Sequence, residues 1–546
     1  MGFIGSQVDV QRRQNARRGR SVEVVCRASK APARLFSVGQ RLCAACSQGL
    51  WTAATLGVIA SSLANVSAAA EESSVACRSA FTEPPALSAA ASVTLPPPAQ
   101  LPPLEPLERL TLPNGLSAFL VEDDEVPLVD GYVIMRAGSV WDPPDRIGLG
   151  ALTAATLRLG GSVTHPKAEL DRYLEEHAAS IEASVGLLTL QISFQCAPED
   201  AEPVLRAVAS LVRAPLFPPS SLELAQEQAR SLIARRNDDP SNIVQREVRK
   251  LVYGGESPVA REATLDTVNR IRREDVLRFH ARHVAPDAGA LVAIHGQWRT
   301  ADMKRAVEEC FGDWRRGLVD ASSPPLSPAS IVTAPASSPQ VIYLADKPEM
   351  TQAHVAIAAL GGEYRDPLYP PLEVINQLMN GLGGRLMNDL RTRAGLAYSV
   401  YGVWAPRYSY PGVFVAGGET KTDSVWQLLR GVRDEFRRLR QEPIPAEELA
   451  YAKESILNSM VFELAPGKAE MLRRLVQYTM YGYPEDFLYR VRAAVEQVTA
   501  EQVLQAAQTR IRDDRCFALV LGNRRELEAV LRTAAERVEV RPLSIE

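Results

Sequence analysis

The sequence has no dominant charge, no cysteine framework and few histidines. Its 61 Lys and Arg stand against 65 Asp and Glu, a net charge of −4 over 546 residues. That balance gives no support to a general nucleic-acid binder, which needs a basic footprint. Of the seven cysteines, Cys26, Cys43, Cys46 and Cys77 precede residue 80, and Cys196, Cys310 and Cys516 are scattered. No disulfide framework and no zinc ribbon follows from that spacing. Cys43-x-x-Cys46 matches half of a redox or metal motif but falls in a segment that reads as a targeting sequence. An apolar run long enough for a permanent membrane span is also missing; residues 49–64 are short and interrupted by Ser and Thr. Among the six histidines, His280 and His283 are three apart with no acid evident nearby. His165, His295 and His354 are isolated, and His177 ends the stretch 173–177 (YLEEH), which reads as the solvated face of a helix. No zinc site is expected from them.

What is present is an ordinary globular composition, 46% hydrophobic and 23% charged, in a chain long enough for two to four domains. Residues 1–48 carry nine Lys or Arg against Asp9 and Glu23, the acid-poor bias of an organelle transit peptide. The apolar core 49–64 follows, and Ala68-Ala69-Ala70 fits a small-residue cleavage site. Residues 1–70 therefore read as a bipartite targeting segment. The expected location is a plastid, its thylakoid lumen in particular, with the mitochondrion as the alternative. Residues 71–106 read as a Pro/Ala-rich linker.

Beyond residue 107 the pattern becomes globular. Residues 115–124 and 128–139 read as two strands joined by a turn. In 187–196, Leu188, Leu190, Ile192 and Phe194 alternate with Thr189, Gln191, Ser193 and Gln195, the signature of a strand with one buried face. Val204, Leu205, Val208, Leu211 and Val212 form one helical stripe, and a second helix spans about 221–236. Residues 272–296 and 499–523 share one plan: an acidic start, an amphipathic helix, a short loop and an apolar strand ending at Gly. Strands at 340–347 and 353–362 open a second half, and a helix at 371–380 takes the place held by 147–161 in the first. The expected fold is α+β: two homologous α/β two-layer sandwich domains, each an antiparallel-rich sheet packed on helices, at 107–317 and 339–546 with a linker at 318–338.

Residues 136–161 (RAGSVWDPPDRIGLGALTAATLRLGG), 238–240 (DDP) and 384–402 (GRLMNDLRTRAGLAYSVYG) carry a resemblance to the pitrilysin/insulinase family of zinc metallopeptidases, in its mitochondrial-processing-peptidase-like branch. The resemblance covers the chain from about 107 to its end and implies one half of a metallopeptidase-like clamp. The family binds zinc through an inverted His-x-x-Glu-His motif on a helix, with a further Glu on a later helix. Carried over, the first His falls on Ala151, the Glu on Ala154, the second His on Ala155 and the distal Glu near Leu232. None is a ligand, so the chain resembles the family's non-catalytic homologues, which keep the scaffold without the metal.

Arg391 and Tyr398 match the family's second-domain Arg and Tyr, which reach the bound peptide and suit hydrogen bonding to a carbonyl or oxyanion. Gly381, Gly383 and Gly384 form a turn before a helix; no Lys-Ser/Thr follows, so a phosphate loop is excluded. The resemblance implies a non-catalytic, substrate-binding subunit of a heteromeric zinc metalloendopeptidase acting on short unstructured peptides. Zinc would sit on a homologous partner; this chain would hold no cofactor. The implied partners are that zinc-bearing homologue and an unstructured peptide, with no nucleic acid and no stable membrane span in the mature chain. The alternative is a metal-free structural or peptide-holding subunit of an organellar complex, like the core subunits of respiratory complex III.

Overall fold

The computed structural model describes residues 107–286, 289–315, 341–380, 383–464, 467–534 and 539–545. The segments expected as a targeting sequence (1–70) and as linkers (71–106 and 318–338) lie outside the described residues.

The first half runs β1 (Leu107–Thr111), β2 (Ser117–Glu122), β3 (Val129–Met135), α1 (Leu149–Gly160), α2 (Lys167–Glu176), β4 (Ser180–Val185), β5 (Leu190–Cys196), α3 (Ala201–Arg213), α4 (Pro219–Arg235), α5 (Pro240–Tyr253), α6 (Leu265–Arg270), α7 (Arg273–His283), β6 (Leu291–Gly296) and α8 (Thr300–Phe311). The second runs β7 (Val341–Asp346), β8 (Gln352–Leu360), α9 (Tyr369–Asn380), a π-helical turn (Met387–Arg393), β9 (Ala397–Ala405), β10 (Val413–Lys421), α10 (Val425–Gln441), α11 (Ala446–Leu464), α12 (Lys468–Tyr481), α13 (Phe487–Gln497), α14 (Ala500–Arg510), β11 (Phe517–Gly522), α15 (Arg524–Ala534) and β12 (Glu539–Leu543).

Each half forms a six-stranded sheet packed on helices, so the fold is the α+β pair expected. The strand orders are β1-β2-β6-β3-β5-β4 and β12-β7-β11-β8-β10-β9. Five strands correspond one to one, and in both halves only the second pair of each series, β2 with β6 and β7 with β11, runs parallel among those five. The sixth position differs. β1 reaches it by a tight turn through Gly115 (φ +95°) and pairs antiparallel with β2; β12 arrives after α15 and pairs parallel with β7.

The alternation in β5 holds with a shift: Leu190, Ile192, Phe194 and Cys196 are buried, while Leu188 lies in the hairpin turn before the strand. In β2, by contrast, Ala118, Phe119, Leu120 and Val121 are all buried. Strands covered on both faces read as continuous apolar runs. The second cover comes from the other half. Leu472, Leu475, Val476 and Met480 of α12 pack on Phe119, Val121, Leu291 and Ala293 of the first sheet. Reciprocally, Ile243, Val244, Val248 and Val252 of α5 pack on Ala356, Ala358, Phe517, Leu519 and Leu521 of the second. Each half lends one helix to its neighbour's outer face. Full burial of such a side chain contributes roughly 1.5–3 kcal/mol.

Candidate functional site

α1 begins abruptly. Gly148 precedes it at φ +104°, a left-handed conformation that suits glycine. Asp142, 3% exposed, accepts from the Gly148 N–H at 2.8 Å and the Gly150 N–H at 2.7 Å, so its carboxylate does the work of an N-terminal cap. Burial pushes the Asp142 carboxyl up to about 6, opposed by those two backbone donors and by the Arg261 guanidinium. Arg261 donates to the carbonyls of Val140 and Asp142. Thr153 and Thr156, both buried, turn their hydroxyls back onto the helix at the carbonyls of Leu149 (2.8 Å) and Leu152 (2.6 Å).

On this helix Ala151 is exposed, Ala155 half-buried and Ala154 2% exposed. α4 packs beside α1 through Ser221, Leu222 and Ala225, with Ala229 and Ile233 continuing the stripe. Leu232 lies just off that stripe and is 73% exposed. Three methyl groups and an isobutyl group carry no lone pair, so these positions do not fit zinc. Among the described residues there is no group of three or more His, Cys, Asp or Glu that could hold a metal ion.

Arg391 and Tyr398 come together. The Arg391 guanidinium carbon lies 5.1 Å from the Tyr398 ring centroid, and its Nη1 lies 3.3 Å from Met387 Sδ. Tyr398 is 80% exposed. The backbone before it is not the α-helix expected but a π-helical turn, a form frequent at functional sites. Neighbouring arginines are spoken for: Arg385 pairs with Glu435 (2.9 Å) and Glu448 (2.6 Å), and Arg393 with Asp389 (2.7 Å). Arg391 has no carboxylate partner among the described residues. Gly383 takes φ +89° in the turn ahead; Gly381 lies outside the described residues.

The histidines need correction. His295 is isolated only in sequence: Nε2 lies 2.8 Å from Asp123 and Nδ1 3.0 Å from Asp130, and Lys468 of α12 reaches the same Asp123 at 3.1 Å. The two carboxylates raise the His295 pKa against the effect of burial. Strand pairing makes this cluster, since Val121 and Asp130 flank His295 across the sheet. Residues 173–177 are not simply a solvated face: Tyr173 donates to Asp200 at 2.9 Å, and His177 Nδ1 lies 2.7 Å from the same carboxylate. His280 and His283 do not act together. His280 Nε2 meets the Val212 carbonyl at 2.8 Å, whereas His283 stacks on Trp141 and packs at a tilt against Phe279, and burial pushes its pKa down to about 4.

Beside α1 runs β4, one of the two edge strands of the first sheet. Arg158 of α1 donates Nε to the Ile181 carbonyl at 2.8 Å and Nη1 to Asp171 at 2.7 Å, joining α1, β4 and α2. A cavity of about 640 Å³ lies elsewhere, between β1 and the α12–α13 region, lined by Arg109, Leu475, Tyr478 and Tyr489 among others.

The fold is a duplicated α/β sandwich whose α1 carries no His, Cys, Asp or Glu. The chain belongs to the M16 (insulinase) peptidase family: residues 119–262 match the model "Insulinase (Peptidase family M16)" and residues 270–456 match "Peptidase M16 inactive domain". Among curated relatives, it is similar to an uncharacterised zinc protease of Streptomyces coelicolor (27% identical, 44% of this chain and 52% of the relative). It is also similar to the uncharacterised zinc protease YmxG of Bacillus subtilis (22%, 76% and 98%). The match thus spans about half of the Streptomyces relative and nearly all of the Bacillus one. A third, from Helicobacter pylori, is named non-peptidase homolog YmxG (21%, 74% and 91%). Among solved structures, a peptidase M16 inactive domain from Pseudomonas fluorescens superposes with a TM-score of 0.65 at 24% identity, covering 76% of this chain and 98% of that one. A putative M16-like peptidase from Alicyclobacillus acidocaldarius gives 0.60 at 17%, covering 76% and 97%.

Proposed function

We propose that this chain is a non-catalytic, substrate-binding subunit of a heteromeric zinc metalloendopeptidase that takes short unstructured peptides. The observation that carries the reading is the pairing of an intact but ligand-free α1 with an exposed, acid-free Arg391 stacked on an exposed Tyr398. A scaffold kept only for packing has no need of that pair at the surface. The name of the Helicobacter relative supports a peptidase fold without peptidase activity. The free edge of β4 offers backbone donors and acceptors to an extended peptide, the usual way such a chain is held.

In this reading the guanidinium of Arg391 and the phenol of Tyr398 donate hydrogen bonds to a peptide carbonyl as it gains negative charge. A zinc-bearing homologue would supply the metal and the general base. Residues 1–70 support a plastid setting, the thylakoid lumen in particular, for the assembly.

Reconstitution with the zinc-bearing homologue recovered from the same organelle tests the proposal. Tyr398→Phe removes only a hydroxyl, and Arg391→Lys keeps charge but loses the planar fork. Turnover should fall at least about tenfold for each, since removing one oxyanion donor costs roughly 10²–10³ in rate where it has been measured. Assembly should be unchanged. Wild-type turnover in both variants would make the pair structural, and the metal-free structural-subunit reading would replace this one.

A further inference from the structure

We propose that Asn376 and Asn380 close the β9 edge of the second sheet at Gly402 and Trp404, so that of the two corresponding edges, β4 and β9, only β4 takes a peptide strand. What the open edge takes rests on the peptide-binding reading above; the closure itself stands on geometry. Each sheet has two edge strands, β1 and β4 in the first and β12 and β9 in the second, and β4 and β9 correspond to each other. An exposed edge is a row of backbone groups ready to pair with another chain. The two corresponding edges are treated differently.

Along β9, the Asn380 side chain accepts from the Gly402 N–H at 2.8 Å and donates to the Gly402 carbonyl. Asn376 does the same at Trp404, accepting at 2.7 Å and donating at 3.0 Å. A carboxamide has one acceptor and one donor side, as a peptide group has, so each asparagine stands where a paired strand would place a peptide bond. The spacings match. Four residues along a helix advance about 6 Å, and two along a strand about 6.8 Å. An i, i+4 pair on α9 therefore meets successive outward-facing residues of β9. Gly402 and Trp404 are themselves buried, so their polar groups need these partners.

Along β4 nothing comparable exists among the described residues. The Gly186 N–H bonds the Thr189 carbonyl at the hairpin, so by alternation Val185, Ala183 and Ile181 turn their backbone groups outward. Arg158 takes the Ile181 carbonyl. α1 carries no Asn or Gln, and its buried threonines bond their own helix. Ala183 and Val185 keep their outward N–H and C=O free for a guest strand.

The test uses a short unstructured peptide bearing a photoreactive side chain, with the whole mature chain and an Asn376→Ala/Asn380→Ala variant. In the wild type, cross-links should fall on β4 and none on Gly402, Val403 or Trp404 of β9; Tyr398, at the other end of that strand, meets the peptide through its side chain in the reading above. In the double variant, amide exchange at Gly402 and Trp404 should accelerate about fivefold or more, the equivalent of one hydrogen bond's net contribution. A second peptide equivalent, or self-association of the chain, should appear with it. Cross-links at Gly402, Val403 or Trp404 in the wild type overturn the proposal without any variant. So does unchanged exchange in the double variant, and so does faster exchange with peptide stoichiometry and self-association as in the wild type. If the wild type takes no peptide, the peptide-binding reading fails by itself, and exchange with self-association still decides the closure.

Discussion

A carboxylate at position 154 has nowhere to go. Ala154 is 2% exposed in a core cluster with Leu152 and Leu157, whereas Ala151 on the same helix is exposed. Restoring the two family residues should therefore have unequal consequences. Ala154→Glu buries an unpartnered carboxyl and should cost about 1–3 kcal/mol, seen as a lower Tm in thermal unfolding; Ala151→His should stay within about 0.5 kcal/mol, as surface changes do. Equal shifts would mean that α1 is not filled as described. Asp142 makes a second residue-scale prediction. Its carboxyl is raised from 3.8 to about 6, so the folded state holds its proton more tightly than the unfolded chain. The stability this gives is complete below about pH 3.8 and is lost as pH rises through about 6. Denaturant titrations from pH 4 to 7 should show that loss, on the order of 2–3 kcal/mol. Asp142→Asn should abolish the slope while weakening the helix start, because an amide has one acceptor for two backbone donors.

At the scale of elements, legibility follows how many faces are covered, and by what. β5 shows its period because its second face is largely open. β2 and β6 lack one because α12 covers them from a half that lies far along the chain. β4 escaped notice altogether: in SIEASV only Ile181 is buried, as suits an edge strand with solvent on one side. Most of β9 falls in the 384–402 stretch that carries the family resemblance and reads as motif rather than as strand. Arg391 and Tyr398 are seven residues apart in sequence, and only the resemblance singled them out; their stacking depends on the π-helical turn, for which no sequence signal was apparent. The His295 cluster depends on three strands and α12 meeting at one point, so no local window contains it. Gly148 offers an element-scale test. At φ +104° a side chain is strained, and an added Cβ would sit 3.3 Å from Ala263 Cβ. Gly148→Ala should destabilise by about 1 kcal/mol or more, with a matching fall in the midpoint of chemical unfolding.

For the whole molecule the exchanged helices decide what a stable unit is. Residues 107–315 alone would leave the apolar face of α5, with Ile243, Val248 and Val252, uncovered, and would lose α12 from their own sheet. That half expressed by itself should be insoluble or aggregate on gel filtration. Co-expression with residues 339–546 should restore a soluble complex of both pieces. A monodisperse isolated half with cooperative unfolding would show that the exchange adds little.

The same exchange sets a schedule for a chain made from one end. α5 emerges early, yet the strands it rests on include β11, which begins at Phe517. At about 5–20 residues per second its apolar face stays bare for roughly 10–50 s of synthesis. The first sheet waits for α12, which ends at Tyr481, and the second for β12, which ends at Leu543. Apolar surface on both halves therefore stays open through much of synthesis, until the far half arrives to cover it.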